Sequence, residues 1–499
     1  MVYVNNKMYD LYINSWKNKK EENCIWWMGE WWSWNKINCL ALDCEKKLSK
    51  AGFKKGQRIG FMLPNSPIVI ALSLATWKLG GTVAPMNPKA GMENLVPTLE
   101  LLDLSTVFVF AEKKELFLPI EKMLQIPVIP TSFTEIEETI RLRDAKEENN
   151  DDIAVIFSTS GTSGLPKSVP CTSENIISNI DDALSVATDF IQEDTVFLNL
   201  LPNFHSLGFN TSSILPLLKG VKQAIVPTFI PVEKTIETIK MARVTAIIAV
   251  PTVLSFLTGT LAKRGEKIKH ISRIVSGGDK LATSLDARCC EYLRTGVLEG
   301  YGLTECSPIV AFNSSVEKRK LGTVGPLFPS LKMEIRDRAG RLKDKQEEGV
   351  LWIKGPSVVK SYFRDEANTK ERFKNGWFNT GDVVRIDSDG YIEIIDRATD
   401  IIIVGGFNVF PKEVETVLCK HPAVKSAVVV GEKNSLAGEI VKAFIILNDD
   451  AKIQPKELID YSKKTLAHYK VPRKIAFVSE YPLSPAGKIL RRVLRVTKI

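Results

Sequence analysis

The densest set of groups that could do chemistry is the string Ser158-Thr159-Ser160-Gly161-Thr162-Ser163-Gly164-Leu165-Pro166-Lys167. Its hydroxyls and glycines offer O–H and backbone N–H donors to an anion, and its lysine adds a cation. It follows a short apolar, β-branched run, 154–157, that predicts a buried strand. The string indicates a polyphosphate-binding loop, with an ordinary Ser/Gly turn as the alternative. It is not a Walker A loop, because the Gly-Lys-Ser/Thr ending is absent.

A second string that could bind a nucleotide is Glu299-Gly300-Tyr301-Gly302-Leu303-Thr304-Glu305. The face of the tyrosine ring can stack on a base, and flanking glycines allow a close approach. Glu305 offers the hard oxygen that Mg²⁺ prefers. The alternative interpretation is a packed turn around Tyr301.

Two further positions carry charges suited to a nucleotide. Asp382 can accept hydrogen bonds from both hydroxyls of a ribose, and Arg397 can add a fixed fork of donors. Near the C-terminus, Lys488 lies on a glycine turn and is followed by a basic stretch. The alternative for that stretch is a solvated or weakly nucleic-acid-binding tail.

The elements that must position these residues alternate between strand-like and helix-like patterns up to about residue 390. This alternation predicts α/β layers with parallel sheet. We expect a helix over 68–79 and buried strands over 59–63, 106–110, 154–157, 246–250 and 273–275. Residues 142–152 form a charged connector.

A change of pattern follows Gly390. Residues 391–395 predict a strand that is interrupted at 396–400. Beyond it, about 100 residues have their own signals, including a helix over 411–419 and a strand over 427–430. We therefore expect a small C-terminal domain, with its boundary near 396–399.

Composition excludes several classes of protein. At 499 residues, the chain has room for about two to four domains, and its 44% apolar and 25% charged residues are ordinary for a globular protein. A formal charge of +9 over this length is more typical of a lysine-rich surface than of a nucleic-acid footprint. Eight cysteines without a CxxC pair and four histidines favour neither a disulfide framework nor a metal centre. Without a signal-peptide pattern or a transmembrane stretch, we expect a cytoplasmic protein.

Taken in order, these strings resemble the acyl-adenylate-forming superfamily of AMP-dependent synthetases and ligases, over essentially the whole chain. The stretch 56–88 and the string His421-Pro422-Ala423-Val424 share the resemblance. It implies an α/β fold: a large N-terminal AMP-binding domain of several subdomains with parallel and mixed sheets, residues 1–396. A small mobile α+β domain, residues 397–499, would carry the catalytic lysine.

The resemblance also implies a two-step reaction that requires ATP and Mg²⁺. A carboxylate gives acyl-AMP and pyrophosphate, and a thiol then displaces AMP. The thiol is that of coenzyme A or of the phosphopantetheine of an acyl carrier protein. No nucleic-acid partner and no transmembrane segment are implied, while peripheral contact with a membrane stays open.

Residue roles follow from the resemblance position by position. Ser158, Thr159, Ser160, Gly161, Thr162, Ser163, Gly164 and Lys167 would hold the β and γ phosphates. The adenine pocket would comprise Gly278, Asp279, Lys280, Glu299, Gly300, Tyr301 and Gly302. Thr304 would touch the α-phosphate, Glu305 would hold Mg²⁺, Asp382 and Arg397 would hold the ribose, and Lys488 would be the catalytic lysine. Thr399 would be the hinge, where relatives usually have Asp or Lys, and the thiol tunnel would comprise Gly405, Gly406 and Phe407.

The string 200–209 bears on the acid. Amino-acid-activating relatives usually carry an aspartate here, whereas this chain has Phe204, His205 and Ser206, which favours an uncharged tail. The Phe-His-Ser-Leu-Gly string looks most like fatty acyl-CoA and acyl-carrier-protein synthetases, so we expect a medium- or long-chain fatty acid, with an aryl or other non-amino acid as the alternative. His205 is a candidate catalytic residue, although a carboxylate nucleophile needs no base and a structural histidine is the alternative.

Two other classes of protein are weighed against the ligase. A non-catalytic nucleotide- or acyl-binding protein is disfavoured because Lys167, Glu305, Asp382, Arg397 and Lys488 are all present. A nucleic-acid-binding protein is disfavoured because no reader motif is recognisable.

Overall fold

The fold comes from a computed structural model that describes residues 7–145, 152–159, 166–337, 339–405, 407–434, 438–449, 451–483 and 489–497. The chain divides into two compact units. The first comprises Met1–Met333, Ile353–Phe378 and Gly390–Ile392; the second comprises Glu334–Trp352, Asn379–Asp389 and Glu393–Ile499. The second unit thus includes two segments that precede the boundary expected near 396–399, and that boundary stays a prediction.

Helices occur throughout both units. The α-helices are α1 Lys7–Lys19, α2 Trp34–Lys50, α3 Pro67–Lys78, α4 Met92–Leu102, α5 Leu118–Leu124, α6 Ser173–Val186, α7 Leu215–Leu218, α8 Val232–Met241, α9 Pro251–Arg264, α10 Thr283–Leu293, α11 Glu366–Arg372, α12 Pro411–Leu418, α13 Pro455–Lys463 and α14 Arg491–Val496. A π-helix spans Leu207–Ile214, and short 3₁₀ helices span Ala111–Leu116, Thr304–Cys306 and His468–Lys470.

The strands assemble into several sheets. They are β1 Asn23–Trp27, β2 Glu30–Ser33, β3 Arg58–Met62, β4 Thr82–Pro85, β5 Thr106–Phe110, β6 Val128–Thr131, β7 Ile153–Thr159, β8 Lys167–Thr172, β9 Val196–Asn199, β10 Lys222–Ile225, β11 Ala246–Ala249, β12 Arg273–Ser276, β13 Val297–Gly302, β14 Ile309–Phe312, β15 Lys332–Arg336, β16 Gly349–Lys354, β17 Phe373–Lys374, β18 Trp377–Ile386, β19 Ile392–Arg397, β20 Ile402–Val404, β21 Phe407–Val409, β22 Val424–Asn434, β23 Gly438–Leu447 and β24 Lys474–Phe477.

The first unit is built on two large sheets. A six-stranded sheet has the order β6-β5-β3-β4-β7-β8, parallel except for the antiparallel pair β7–β8. An eight-stranded sheet has the order β14-β13-β12-β11-β9-β10-β1-β2, with antiparallel pairs only at its two edges. The expected α/β architecture with parallel and mixed sheets is confirmed.

Hydrophobicity explains why these segments form a core. Strand β5 reads Thr-Val-Phe-Val-Phe and is buried on both faces for most of its length, as expected of a parallel strand covered by helices. Helix α3 opens on Pro67 at its first turn and is buried from Pro67 to Trp77, so it is apolar all round. The strand predicted over 106–110 and the helix predicted over 68–79 are confirmed, the latter shifted by one residue.

The second unit has a sheet of its own, with the order β21-β20-β23-β22 and β24 parallel to β23. Helices α12 and α13 supply buried side chains to its core, including Val414, Leu418 and Leu458. The unit also contains most of β16, β18 and β19, and β19 pairs with β18. The small α+β unit is as expected, and so are the helix near 411–419 and the strand around 427–430.

Two local expectations were wrong. The break expected at 396–400 begins later, because β19 continues through Arg397, whose side chain pairs with Asp382 on β18. The packed turn considered around Tyr301 is the end of strand β13, where Tyr301 lies opposite Ala311 of β14. The charged connector expected over 142–152 has neither helix nor strand over 142–145, and its residues 146–151 lie outside the described residues.

Candidate active site

The ends of β7 and β8 position the first motif. Because the two strands are antiparallel, Thr159 lies opposite Lys167, and the Thr159 hydroxyl donates to the Lys167 carbonyl over 3.3 Å. Ser160, Gly161, Thr162, Ser163 and Gly164 lie outside the described residues. The strands therefore bring Ser158, Thr159 and Lys167 to the two ends of one connecting segment.

Ser158 offers an observation about a ligand at this end of the hairpin. Its Oγ is buried and has no hydrogen-bond partner among the residues that the structure describes. A buried hydroxyl without a partner is costly unless another group satisfies it. A phosphate oxygen is a suitable partner, so the donor set fits a polyphosphate.

Lys167 is half-buried, and its surroundings act on its charge. Its Nζ lies 4.9 Å from the centroid of the Tyr362 ring. Burial lowers the pKa of Lys167, and the guanidinium of Arg372 lowers it further. The carboxylates of Glu371 and Glu305 act in the opposite direction. A polyphosphate near this ammonium would favour its charged form.

Glu305 lies in the short 3₁₀ helix Thr304–Cys306 and is nearly buried. Its Oε1 accepts a hydrogen bond from the Tyr362 hydroxyl over 2.7 Å. Neighbouring Thr304 accepts one from Ser206 over 3.2 Å, from the string 200–209. Groups from four separate stretches of sequence, around 167, 206, 304 and 362, are thus brought together in the first unit.

Mg²⁺ fits this donor set through one protein carboxylate. The part of the chain that the structure describes contains no group of three or more His, Cys, Asp or Glu side chains arranged to hold a metal. Mg²⁺ is typically bound by one or two carboxylates together with substrate phosphates rather than by an all-protein cage. Glu305 therefore suits an ion that arrives with a nucleotide.

His205 lies beside this cluster in sequence. It is partly buried, its ring contacts that of Phe204 at 4.6 Å, and its backbone N–H donates to the Pro202 carbonyl over 3.0 Å. These contacts account for its packing, and its catalytic role stays a prediction.

Glu299 organises the segments expected to form the adenine pocket. Its carboxylate accepts hydrogen bonds from the backbone N–H of Leu281, over 3.0 Å, and of Gly322, over 3.2 Å. Burial raises the pKa of Glu299, and the two N–H donors oppose the rise. The glutamate thereby fixes the loop that contains Gly278, Asp279 and Lys280.

The glycines around Tyr301 have a packing role that the sequence did not reveal. A Cβ on Gly302 would lie 2.0 Å from the Pro308 carbonyl oxygen, and one on Gly300 would lie 3.0 Å from the Cβ of Phe312. Both glycines therefore permit β13 to pack closely on β14. Gly278 instead has a positive φ of 87°, which favours glycine in that loop.

Asp382 and Arg397 form a pair within the second unit. Asp382 is 2% exposed, and Arg397 Nε lies 2.6 Å from its Oδ1. The backbone N–H of Ala398 donates to the Gly381 carbonyl over 2.8 Å, which fixes the register of the two strands here. The ion pair with Arg397 fixes the position of the Asp382 carboxylate.

The expected hinge is attached to the C-terminal helix. The Thr399 carbonyl accepts a hydrogen bond from Arg495 Nη2 over 2.7 Å, and the same nitrogen lies 3.2 Å from Asp400 Oδ1. Arg491 Nε lies 3.8 Å from the other Asp400 oxygen. Helix α14 therefore restrains the segment after β19.

The remaining expected residues belong to the second unit. Gly405 has a positive φ of 56°, and the exposed ring of Phe407 stacks on Tyr469 at 4.7 Å. Gly406 and Lys488 lie outside the described residues.

The sequence did not indicate a role for Tyr362, and it did not predict the contact between Ser206 and Thr304. The string that holds Tyr362 has one local signal, the capping residue Asp365, which accepts from Asn368 N at the start of α11. That signal predicts a helix but says nothing about the tyrosine.

Among the described residues, no helix combines the length and the apolar character that a membrane crossing needs.

Comparisons with known proteins identify the family of the chain. The AMP-binding enzyme family matches residues 14–363, and the AMP-binding enzyme C-terminal domain matches residues 413–488. A long-chain-fatty-acid–CoA ligase of Bacillus subtilis is 30% identical over 513 aligned residues, covering 95% of this chain and 91% of the relative. A 2-succinylbenzoate–CoA ligase of the same organism is 32% identical, covering 90% of each chain.

Solved structures show the same fold. The o-succinylbenzoate CoA synthetase of Bacillus subtilis, in complex with its acyl-adenylate intermediate, is 27% identical with a TM-score of 0.85, covering 98% of both chains. ATP-bound MatB from Rhodopseudomonas palustris is 26% identical with a TM-score of 0.86, also covering 98% of both. With both domains of the family matched in order and a relative aligned over almost the whole length, the chain belongs to the AMP-binding enzymes, the superfamily of adenylate-forming acid–thiol ligases.

Proposed function

We propose that the chain activates a medium- or long-chain fatty acid with MgATP as acyl-AMP and transfers the acyl group to the thiol of CoA. The observation that carries the proposal is the cluster of Lys167, Tyr362 and Glu305, with Thr159 lying opposite Lys167. It occurs in a chain aligned over 95% of its length with a fatty-acid–CoA ligase.

In the first step, a carboxylate oxygen of the acid attacks the α-phosphorus of ATP, and the bond to pyrophosphate breaks. The nucleophile is already ionised at neutral pH, so no protein base is required. Negative charge grows on the α-phosphate and on the leaving pyrophosphate, and cations placed there stabilise the transition state more than the ground state. Mg²⁺ supplies such a charge when bound with the nucleotide.

In the first unit, Lys167 and the segment from Ser158 to Gly164 bind the β and γ phosphates, and Glu305 holds the metal. Thr304, oriented by Ser206, donates to the α-phosphate. The adenine lies against Tyr301 and the loop of Gly278, whose geometry Glu299 fixes. His205 lies near the acid.

In the second unit, Asp382 accepts hydrogen bonds from the ribose hydroxyls, and Arg397 orients its carboxylate. Lys488 is the cation at the α-phosphate during the first step. Thr399 is the hinge of the domain that begins at Arg397, and Gly405, Gly406 and Phe407 line the path of the thiol. In the second step, the thiol sulfur attacks the acyl carbon, AMP leaves, and the thiol proton passes to solvent.

An aryl acid is the second candidate substrate. Similarity to aryl-acid ligases supports it: a feruloyl-CoA synthase of Amycolatopsis is 29% identical over 90% of this chain, close to the value for the fatty-acid ligase. The aromatic and apolar composition of residues 200–209 is compatible with either acid.

The test is acid-dependent pyrophosphate release from MgATP across straight-chain acids from acetate to palmitate and a set of aryl acids. Each acid is assayed with CoA, with a holo acyl carrier protein and with neither. We expect the highest kcat/KM for a medium or long fatty acid and sustained turnover only with CoA. Turnover confined to aryl acids would show that the acid is not a fatty acid. Turnover confined to the carrier protein would show that the thiol is not that of CoA.

A further inference from the structure

Tyr362 contacts two side chains expected at the nucleotide, from two different motifs. Its hydroxyl donates to Glu305 Oε1 over 2.7 Å, and the Lys167 ammonium lies 4.9 Å from the centre of its ring. The side chain is 3% exposed, so this arrangement is protected from competition by water. A single buried ring therefore touches both the expected metal ligand and the expected phosphate-binding cation.

The backbone around Tyr362 is fixed to the same two motifs. On one side, Val359 N–H donates to the Glu305 carbonyl over 2.9 Å, and on the other, Phe363 N–H donates to the Ser168 carbonyl over 2.8 Å. Tyr362 N–H itself donates to the Thr369 hydroxyl over 3.0 Å. The ring of Phe373 meets the tyrosine edge to face at 5.5 Å. The ring thus has little freedom to leave this position.

We propose that Tyr362 is a positioning residue for the metal-bound nucleotide. Its hydroxyl holds Glu305 in the orientation in which the second carboxylate oxygen is available to the metal, and its ring holds Lys167 beside the same polyphosphate. A hydrogen bond from a neutral hydroxyl uses one oxygen of the carboxylate without cancelling its charge. A lysine or arginine at this position would neutralise Glu305, whereas tyrosine orients it. This inference rests on the proposed function, because it assumes that Glu305 and Lys167 serve MgATP.

The experiment measures ATP affinity by equilibrium titration, in the presence of excess Mg²⁺ and in EDTA, with no acid and no thiol. The variant Tyr362→Phe keeps the ring and removes only the hydroxyl. The measured quantity is the factor by which Mg²⁺ raises the affinity for ATP. We expect this factor to be about ten-fold smaller in Tyr362→Phe than in the unsubstituted protein, as for the loss of a hydrogen bond to a charged group. Its affinity for metal-free ATP should stay within about two-fold of that of the unsubstituted protein, since the phenylalanine ring keeps the contact with Lys167.

A matched control is Tyr12→Phe. Tyr12 is also a buried tyrosine of the first unit, and its hydroxyl donates to Asn38 over 3.4 Å. The control should leave both affinities unchanged. Thermal unfolding of both variants separates a positioning role from a structural one. If the role of Tyr362 were structural, Tyr362→Phe would lower the unfolding temperature and both ATP affinities together.

Two results would overturn the inference: an unchanged Mg²⁺ effect in Tyr362→Phe, or an equal loss with and without the metal. A Glu305→Gln variant distinguishes a failure of the inference about Tyr362 from a failure of the role that the proposed function gives to Glu305. If it also leaves the Mg²⁺ effect intact, the role given to Glu305 is wrong, and the inference about Tyr362 is wrong with it. If the unsubstituted protein binds no ATP at all, the proposed function itself has failed.

Discussion

At Lys167, burial and a bound polyphosphate act in opposite directions on one ammonium group. Burial and Arg372 lower its pKa in the free protein, while phosphates would favour the charged form. The folded pKa is therefore depressed below the unfolded value of 10.5. Between the folded and the unfolded pKa, the unfolded chain binds more protons at Lys167 than the folded chain does. The contribution of Lys167 to the free energy of unfolding therefore rises with pH. ATP binding has the opposite dependence, because it needs the charged form.

We predict that ATP affinity falls as the pH rises from neutral toward the ordinary lysine value of 10.5, because the depressed pKa makes Lys167 lose its proton before an ordinary lysine does. In Lys167→Arg the guanidinium stays charged over this range, so the fall should be shallower. Equilibrium titrations at a series of pH values provide the measurement. Parallel curves for the two proteins would show that another group is responsible.

Lys488 is the residue whose expected role is most specific to one step. We predict that Lys488→Ala slows adenylation by about 10²- to 10³-fold, as for removal of one donor to a developing oxyanion. Thiol attack on supplied acyl-AMP should be largely unaffected. Separate assays of the two half-reactions provide the measurement, with Lys464→Ala, an exposed lysine of the second unit, as control. Equal loss in both half-reactions would rule out the role given to Lys488.

Among the elements, helix α14 lies between two stretches of the second unit to which we assign functions, the one with Lys488 in sequence and the one with Thr399 in contact. It begins at Arg491, directly after the stretch that contains Lys488, and its Arg495 binds the Thr399 carbonyl. Buried Lys442 binds the carbonyl groups of Arg495 and Thr497, over 3.2 and 2.9 Å, which holds the end of the helix in place. Helix α14 is thereby attached to Thr399, shortly after β19, and to the buried Lys442.

We predict that Arg495→Ala slows adenylation several-fold, because helix α14, which follows the proposed catalytic lysine in sequence, loses its attachment to Thr399. Arg492→Ala is the matched control, since Arg492 is exposed on the same helix and surface substitutions usually change stability by less than about 0.5 kcal/mol. Acid-dependent exchange of pyrophosphate into ATP measures the step. Equal rates in the two variants would show that the attachment has no part in adenylation.

The sequence predicted elements better than contacts. Strand β5 was predicted with its bounds because a continuous apolar run is typical of a strand buried on both faces. The end of β19 was missed because Asp396 and Arg397 look like loop residues until the partner of Arg397 is known. Tyr362 was missed for the same reason: its partner Glu305 is 57 residues away, and no local pattern encodes that distance.

For the whole molecule, nucleotide binding should appear as stability, because a ligand that binds only the folded state shifts unfolding by mass action. The first unit contains the residues that we propose bind the phosphates, and the second contains the Asp382–Arg397 pair.

We predict that MgATP at about 100 times its Kd raises the free energy of unfolding by about 2.7 kcal/mol. Thermal scans with MgATP, with ATP in EDTA and with no nucleotide provide the measurement. The Asp382→Asn variant should show a smaller shift, since it removes the charge that Arg397 holds in place. A saturating nucleotide that leaves the unfolding temperature unchanged would contradict the assignment of an ATP site.

The most direct test of the central claim, that the chain forms an acyl-adenylate, is exchange of labelled pyrophosphate into ATP with no thiol present. We predict exchange that depends on both Mg²⁺ and a fatty acid and that is abolished when either is omitted. Exchange that is independent of the acid, or absent while ATP binds normally across fatty and aryl acids alike, would contradict it.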